Sequence, residues 1–526
     1  MTALGRLGPA VAALVVVASL LASCSPSTPD ASNTLSVLAG SELKDLEPLL
    51  PDLQKATGVA LKLTYSGTLE GAESIAGGLD TDAAWFSHGK YLSLLPGAGS
   101  RIVTSQKIML SPVVIGVRKS VADKLGWTNN PAVTWKDIQA HAADGSFKFA
   151  MTNPAASNSG LTALIGVASA LSGSSDAIDT GHVDSAALKA FFKGQALTAG
   201  SSGWLADAFV RSQATVDGII NYESVLLSLN ASGQLKEPLV LVYPSEGIVT
   251  ADYPLMLINA AKRDAWQKVV DWLRTPDVQK RIMTDTGRRP AIPGVALDAR
   301  FPTQSLIELP YPAKLDTIDA LITAYLDEVR KPATAIFVLD LSGSMAGDRL
   351  DALKKSLGAL TGTDTSLTGR FSRFRAREEV TIITFSATVL DQREFTIDDT
   401  APNGADMTAI RDYVGGLQTY SNTAIYSGLE AAYQAVQKRQ AADPNRIYSV
   451  VLMTDGENNN GLSPEDFTTE YQALPAAVKA VPTFPILFGD AKTDAMQSIA
   501  DLTGGKLFDA KSTSLESIFK QIRGYE

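Results

Sequence analysis

The stretch Asp340-Leu341-Ser342-Gly343-Ser344-Met345 follows an apolar run, Thr334 to Leu339, that has the composition of a buried parallel strand. A helix-like segment from Arg349 to Leu360 comes next. The pattern predicts one carboxylate and two hydroxyls at the carboxyl end of a strand, where ligands bind in open α/β sheets. Such oxygen ligands suit a hard cation such as Mg2+. The alternative is that Asp340 and Ser342 only cap the following helix.

Two further pieces stand in the same order along the chain. Thr423 lies just before a helical segment, Ile425 to Val436, and Asp455 directly follows a predicted strand, Ile447 to Met453. With these pieces, residues 331–526 resemble a von Willebrand factor A domain that carries a metal-ion-dependent adhesion site. The resemblance implies a doubly wound, Rossmann-like α/β fold and a bound Mg2+, or Mn2+ or Ca2+. It implies the metal ligands Asp340, Ser342, Ser344, Thr423 and Asp455, and an open coordination position for an acidic residue of a protein partner.

One departure from that family concerns the loop before Thr423. Members often carry glycines there, whereas this chain has Ser421-Asn422. These two side chains would either crowd the loop or offer competing ligands. Thr423 is therefore the ligand that depends most on how the loop folds.

The composition limits the class of protein. A chain of 526 residues is too long for one ordinary core and predicts two or three domains. Hydrophobic residues make up 45% and charged residues 19%, which is typical of a folded globular chain. The net charge of −10 argues against a nucleic-acid partner.

The first 24 residues have the pattern of a signal peptide. Arg6 precedes an apolar core, Ala10 to Leu21, which is shorter than the ~20 residues of a membrane-spanning helix. The sequence Leu21-Ala22-Ser23-Cys24 resembles a bacterial lipobox, with Cys24 as the acylated residue. Residues 25–33 then form a flexible tether, and the protein is expected on the extracytoplasmic face of the cell membrane, held by lipid. The alternative is a plain secretory signal with an incidental cysteine.

The first domain is predicted over residues 34–310. Strands Thr34 to Ala39, Val59 to Tyr65 and Asp82 to Phe86 alternate with helix-like segments, and each is followed by a small hydroxyl residue. This β-α-β order is typical of a doubly wound domain. Over roughly residues 34–309 the chain resembles a type II extracellular solute-binding protein. That resemblance implies two lobes with a solute cleft between them, and a solute of the oxyanion kind.

Polar residues at the strand-to-helix turns are the candidate solute contacts. Free backbone N–H groups and hydroxyls at helix N-termini bind an uncharged or anionic solute without a basic side chain. The candidates are Ser41, Ser66, Ser87, Asn158, Ser159 and Tyr222. The alternative is that these residues are ordinary caps and turn residues.

Residues 311–330 are predicted to form a linker helix. Leu315, Ile318, Leu321, Ile322 and Tyr325 repeat at helical spacing. The helix therefore either packs on one domain and couples it to the other, or is a plain linker.

The motifs of common enzymes do not occur in the sequence. None of the three histidines forms H-E-x-x-H, and we find neither a G-x-S-x-G elbow nor a complete P-loop. We therefore expect a binding protein and no enzyme. The main hypothesis is adhesion or complex assembly at the cell envelope, with the metal recruiting a protein. The alternative is a solute receptor that serves an ATP-driven importer.

Overall fold

The computed structural model describes residues 33–174 and 176–526. The predicted signal peptide, Cys24 and all but the last residue of the tether lie outside the described residues. The described chain forms three mixed α/β sheets with helices on their faces. The predicted α/β fold class, with a two-lobed first domain and a doubly wound second domain, is confirmed.

The first lobe is built on a five-stranded sheet. Its strands, in spatial order, are Ala60–Tyr65, Thr34–Ala39, Ala83–Trp85, Pro254–Leu257 and Thr104–Lys107. The first three are parallel, and Pro254–Leu257 runs antiparallel to both of its neighbours. The predicted β-α-β order therefore supplies three of the five strands, and Thr104–Lys107 and Pro254–Leu257 complete the sheet.

The second lobe is built on a seven-stranded sheet. Its main strands, in spatial order, are Thr250–Ala251, Met109–Arg118, Gly218–Tyr222, Phe149–Thr152 and Gln195–Ala199, and Leu239–Val242 and Arg289–Pro290 also pair with Met109–Arg118. The chain enters this lobe through Ile108 and leaves it through Asp252 and Tyr253. The chain then returns from Pro254–Leu257 of the first lobe to Arg289–Pro290 of the second, so at least three chain crossings join the lobes.

Helices cover both lobes of the first domain. The α-helices are Leu50–Thr57, Thr68–Ala76, Lys90–Leu94, Lys119–Leu125, Trp135–Asp144, Asn158–Ser172, Ser185–Phe192, Ser202–Ser212, Glu223–Ala231, Arg263–Leu273 and Pro276–Thr286. The segment between the first two strands, where the sequence predicts a helix, is a 3-10 helix, Ser41–Leu49, followed by the α-helix Leu50–Thr57. Pro48 inside the first part explains the break, because proline removes a backbone donor and clashes with the preceding turn.

The second domain has a six-stranded sheet. Its strands, in spatial order, are Val389–Thr396, Glu379–Phe385, Ala333–Asp340, Ile447–Thr454, Thr483–Leu487 and Phe508–Asp509. All neighbours are parallel except Val389–Thr396, which is antiparallel to Glu379–Phe385. The α-helices are Asp348–Gly358, Leu367–Ser372, Ala405–Gly415, Ile425–Ala442, Pro464–Ala473, Ala476–Lys479, Thr493–Thr503 and Leu515–Ile522.

No helix in the described ranges combines the length and the apolar composition that crossing a lipid bilayer requires.

The linker helix contacts both domains. It runs as an α-helix over Leu315–Ala324 and continues as a π-helical turn to Val329. Its buried face joins the core of the first domain, where the Tyr325 hydroxyl donates to Gln195 at 3.2 Å. Its polar face pairs with the second domain, since Asp327 Oδ1 accepts from Arg375 at 3.0 Å. The linker helix is therefore packed on the first domain and paired with the second.

A buried charge cluster fixes the beginning of the second domain. The Glu378 carboxylate, on a residue only 2% exposed, pairs with Arg330 at the end of the linker and with Arg523 at 2.6 Å. It also accepts from the backbone N–H of Arg375 at 2.9 Å. Arg523 in turn pairs with Glu526, whose other oxygen accepts from Ser449 at 2.9 Å. Each buried charge therefore has an opposite charge beside it, as a low-dielectric site requires.

Replacing Glu378 with Gln should lower the free energy of unfolding by about 3 kcal/mol or more, because removing one partner of a buried ion pair costs roughly 3–5 kcal/mol. Denaturant unfolding of the full chain measures the difference. Glu328→Gln is the matched control, since Glu328 is exposed on the linker. Equal losses in the two variants would contradict the assigned role of Glu378.

The same pair of proteins should differ in how stability depends on pH. Burial opposes ionisation of Glu378, but Arg523 and Arg330 outweigh it and hold the pKa of this carboxyl below its ordinary value of 4.5. A lowered folded-state pKa contributes stability that is complete above the ordinary pKa and is lost as the pH falls through the folded-state value. The difference between wild type and Glu378→Gln should therefore be largest near neutral pH and shrink in acid. A difference that does not change with pH would contradict the ionised state.

Candidate functional site

Asp340 and Asp455 lie at the same edge of the second domain's sheet. Asp340 is the last residue of Ala333–Asp340, and Asp455 directly follows Ile447–Thr454. The two strands are parallel neighbours, with Leu339 opposite Met453. Both aspartates are 0% exposed. The strand register therefore brings together two carboxylates that are more than 100 positions apart in the sequence.

A chain of hydrogen bonds links four of the five predicted metal ligands. Asp340 Oδ1 accepts from the backbone N–H of Ser342 at 2.7 Å, and Asp340 Oδ2 accepts from the Thr454 hydroxyl at 2.6 Å. The hydroxyls of Ser342 and Ser344 lie 3.0 Å apart, and Ser344 donates to Asp455 Oδ1 at 2.7 Å. The side chains of these four residues therefore lie together in one hydrogen-bonded cluster at the sheet edge.

Thr423 lies near this cluster, on a neighbouring loop. A Cβ atom placed on Gly456 would lie 3.7 Å from both the Ser344 and the Thr423 hydroxyl oxygens. The backbone N–H of Thr423 donates to the Asn459 side chain at 2.8 Å, which holds the loop in place. Asn422 adopts a φ of 67°, a left-handed conformation that Asn tolerates better than most residues other than glycine. Asn422 can therefore occupy a backbone position suited to one of the family's glycines.

Arg349 is a contact of this cluster that the sequence analysis did not assign. Its guanidinium contacts Asp455 Oδ2 directly and pairs with Asp490 at 2.8 Å. Arg349 lies in the first turn of the helix Asp348–Gly358, which begins just after the Ser344 loop. The carboxylate of Asp455 is therefore shared between the hydroxyl of Ser344 and an internal cation.

The donor set fits a hard divalent cation. Its five side chains offer two carboxylates and three hydroxyls, all of them oxygen ligands. Within residues 33–174 and 176–526, no group of three or more His, Cys, Asp or Glu side chains is placed to hold a metal. A cation at this edge would therefore complete its shell with hydroxyls and water, as Mg2+ commonly does.

Burial raises the pKa of Asp340. Hydrogen bonds from Thr454 and Ser342 lower this pKa and offset part of the effect of burial.

A cavity of about 320 Å³ lies between the two lobes of the first domain. Ser41 and Ser66 of the first lobe and Asn158 of the second lobe line it. Ser87 and Tyr222 lie behind Asn158, since the Asn158 amide donates to Ser87 and the Ser87 and Tyr222 hydroxyls are 2.7 Å apart. The structure therefore brings five of the six predicted solute contacts to one region.

Ser159 belongs to a separate hydroxyl cluster. Its Oγ lies 2.8 Å from the Thr152 hydroxyl, 2.7 Å from Ser202 and 3.2 Å from Ser157. Ser159 is buried and is absent from the cavity lining. Its hydroxyl therefore ties together the strand end and two helix starts of the second lobe.

The cavity also contains residues that the sequence analysis missed. Glu42 and Glu70 add carboxylates from the first lobe, and burial raises the pKa of Glu42. The segment 515–525 of the second domain, hereafter the wall segment, lines the cavity with residues such as Ser517, Lys520 and Tyr525. The one feature of the sequence that points to Glu42 is its position directly after Ser41, a predicted solute contact. No local pattern could have placed the wall segment there, because its position depends on how the two domains dock.

Comparison with known protein families divides the chain in two. Residues 35–289 match the model described as bacterial extracellular solute-binding protein. Residues 336–521 match the model of the von Willebrand factor type A domain. The first match indicates an extracytoplasmic binding protein. No curated protein sequence matches the chain.

Solved structures similar to the chain are distant. The periplasmic binding protein AfuA from Actinobacillus pleuropneumoniae, with exogenous fructose-6-phosphate bound, is 16% identical over 56% of this chain and 98% of its own, with a TM-score of 0.44. The sulfate-binding protein SubI from Mycobacterium tuberculosis is 20% identical over 55% and 96%, with a TM-score of 0.40. A von Willebrand factor type A protein from Catenulispora acidiphila is 16% identical over 37% and 43%, with a TM-score of 0.29.

Each family match coincides with one domain of the structure. The solute-binding model covers the two-lobed domain, and the von Willebrand factor type A model covers the domain whose six-stranded sheet carries the aspartate pair. The chain therefore joins a domain of the bacterial extracellular solute-binding type to a von Willebrand factor type A domain.

Proposed function

We propose that this protein is a lipid-anchored, extracytoplasmic binding protein whose second domain binds a divalent metal and, through it, a protein partner. The process it serves is adhesion or complex assembly at the cell envelope. The observation that carries the proposal is the convergence of Asp340, Ser342, Ser344, Thr423 and Asp455 at one sheet edge. Both matched families are binding or adhesion families, and the proposal assigns no reaction to the chain.

The chemistry of the five side chains explains why the metal would recruit an acidic group. Only two of them carry a negative charge, so a divalent cation keeps electron-poor character and an open position favours a carboxylate from outside. Mg2+ suits this arrangement because it takes few protein carboxylates, and Mn2+ and Ca2+ are the alternatives. The residues of the chain would hold the cation and orient the partner, and the partner would supply the remaining negative charge.

The surface beside the cluster has a feature typical of protein contacts. Tyr420 is 53% exposed although it is a large aromatic residue. Its backbone N–H donates to the carbonyl of Leu341 at 2.7 Å, within the stretch that separates Asp340 from Ser342. Tyrosine is one of the residues that most often dominate the binding energy of protein interfaces. Tyr420 is therefore the side chain we expect to meet the partner next to the metal.

The second candidate function is that of a solute receptor for an ATP-driven importer. The cavity between the lobes favours it, because a receptor needs a cleft of the size of a small solute. The two candidates separate experimentally, since transport depends on the cavity and partner capture depends on the sheet edge.

Replacing Asp340 or Asp455 with Ala should weaken Mg2+ and Mn2+ binding at least tenfold and abolish metal-dependent partner capture. The reason is that each substitution removes one of the only two charged ligands. Calorimetry measures the affinity, and a pull-down from envelope extract with and without EDTA measures capture. Asp348→Ala is the matched control, because Asp348 is exposed just beyond the cluster. Unchanged metal affinity in the Asp340 and Asp455 variants would remove the site, and a melting curve of each variant separates this result from unfolding.

Replacing Arg349 with Met should tighten metal binding by about fivefold. The guanidinium competes with a cation for Asp455, and such a partly exposed ion pair is worth roughly 1 kcal/mol at most. Lys354→Met on the same helix removes the same charge away from Asp455 and serves as the control. Weaker metal binding in Arg349→Met would show that the arginine positions Asp455 for the metal and does not compete with it.

Replacing Cys24 with Ala should release the protein from the membrane fraction or leave the signal peptide uncleaved. The physical reason is that stable anchoring needs acyl chains attached to the protein, and the sequence has one cysteine. Fractionation and metabolic labelling with a fatty-acid analogue test this prediction. Ser23→Ala is a control that keeps the cysteine. Unchanged processing together with unchanged membrane retention would contradict lipid attachment.

A further inference from the structure

The cavity between the lobes is enclosed partly by the second domain. The wall segment lies along it, and Thr368 and Phe371 from the neighbouring helix Leu367–Ser372 add to its lining. A molecule that occupies this cavity therefore lies against both domains, and not only against the two lobes.

On the first lobe, one helix holds the second domain through two carboxylates. Glu70 Oε1 accepts from the Ser517 hydroxyl at 2.9 Å, while its other oxygen accepts from Ser66 at 3.2 Å. Glu73, one turn further along Thr68–Ala76, accepts from the backbone N–H groups of Leu367 at 2.6 Å and Thr368 at 3.2 Å. The wall segment and the helix Leu367–Ser372 are both fixed to this lobe.

The wall segment also packs against the second lobe, at a position where Gly200 has no side chain. The Tyr525 ring lies so close to Gly200 that an added Cβ there would come within 2.4 Å of Tyr525 Cε2. The same ring packs edge-on against Trp204, with centroids 5.0 Å apart. A Cβ on Gly524 would meet Ala156 Cβ at 2.6 Å. One short segment therefore contacts both lobes across the cavity.

The lining contains acceptors that need donors. Within the described residues, neither Glu42 Oε1 nor Asn158 Oδ1 has a hydrogen-bond partner, although both atoms are buried. Asn158 is only 6% exposed, and both residues line the cavity. An unmet buried acceptor costs free energy, and both atoms lie just beneath the cavity surface, so a rotation of either side chain is what would bring them to the N–H or O–H groups of a ligand.

The charges of the lining favour the same class of ligand. In residues 33–174 and 176–526, neither Glu42 nor Glu70 takes part in an ion pair, whereas Lys520 pairs with Asp364 and Arg523 pairs with Glu378. Lys506 is a lining cation outside the ion pairs of the described chain, and its Nζ donates to the Tyr525 hydroxyl at 2.8 Å. With Lys520 and Arg523 already paired, Lys506 is the lining cation that is left for an oxyanion among the described residues, whereas the carboxyl groups of Glu42 and Glu70 can hydrogen-bond an amine or a polyol.

We propose that this cavity is a ligand site shared by both domains, which takes a small amine- or hydroxyl-bearing solute and, when filled, holds the von Willebrand factor type A domain onto both lobes. The inference deepens the solute-binding part of the proposed function and does not depend on the metal. By linkage, the factor by which the solute strengthens the docking of the wall segment equals the factor by which the docked wall segment strengthens solute binding, so loosening the docking weakens solute binding by up to that factor.

The experiment uses the full chain and named probes. Putrescine, ethanolamine, glucosamine and myo-inositol represent amines and polyols, and sulfate and phosphate represent oxyanions. Calorimetry and thermal melting measure binding to wild type, Gly200→Ala, Gly524→Ala and Gly203→Ala. Gly203→Ala is the matched control, because an added Cβ there meets nothing within 4 Å. Hydrogen exchange follows residues 515–525 with and without each probe.

We expect at least one amine or polyol probe to bind and to slow hydrogen exchange in the wall segment. Its affinity should fall at least fivefold in Gly200→Ala and Gly524→Ala and stay unchanged in Gly203→Ala. Glu42→Gln, which leaves the docking contacts in place, should weaken an amine probe at least fivefold, so the test does not rest on glycine variants that fail to fold.

Three results would overturn the proposal. Equal affinity in all three glycine variants would show that the second domain is not part of the site. Binding of sulfate or phosphate in preference to the amines and polyols would overturn the ligand class. Binding by none of the six probes would also overturn it, while metal-dependent partner capture, measured separately, would still stand or fall on its own.

Discussion

The buried carboxylate of Glu378 is the interaction on which the arrangement of the two domains depends. It binds Arg330, where the linker ends, and Arg523, in the segment that closes the cavity. An unpaired charge in such a site would cost several kcal/mol, so the three residues must stay together whenever the second domain is folded. The entry of the chain into this domain and the position of its wall segment are therefore fixed by one group.

The fixed position of the wall segment limits how the two lobes of the first domain can move. In a two-lobed receptor, the cleft opens and closes as the lobes rotate about their crossings. Here Glu70 and Glu73 hold the second domain from one lobe, and Gly200 and Trp204 hold it from the other. Rotation of the lobes must therefore break or slide one of these contacts. The second domain bridges the cleft, and the linker helix, which is buried in the first domain and paired with the second, limits how far the two can separate.

The sequence predicts those parts of the structure that depend on local pattern or on strand order. Asp340 and Asp455 could be placed at one edge because parallel neighbouring strands end at the same side of a sheet, and the apolar runs before them are unambiguous. Ser41, Ser66 and Asn158 follow from the same rule applied to the lobes. Arg349 could not be assigned to Asp455 from the sequence, because a helix residue's partner depends on how the helix packs. Glu42 and the wall segment escaped notice for a similar reason, since the contacts that give them meaning come from residues hundreds of positions away.

The Glu378 cluster and the aspartate pair lie at opposite ends of the second domain's sheet. The Glu378 cluster lies where Ala333–Asp340 and its neighbours begin, and the aspartate pair lies where they end, which for an eight-residue strand is roughly 25 Å away. A partner at the aspartate edge therefore has no need to displace the segment that encloses the cavity.

The helix Asp348–Gly358 nevertheless joins the two regions. It begins beside the Ser344 loop, carries Arg349 to Asp455, and brings Lys355 within 3.5 Å of Glu516 on the helix of the wall segment. One helix therefore contacts both regions, and it is a part of the fold that connects the proposed solute cavity with the proposed metal site.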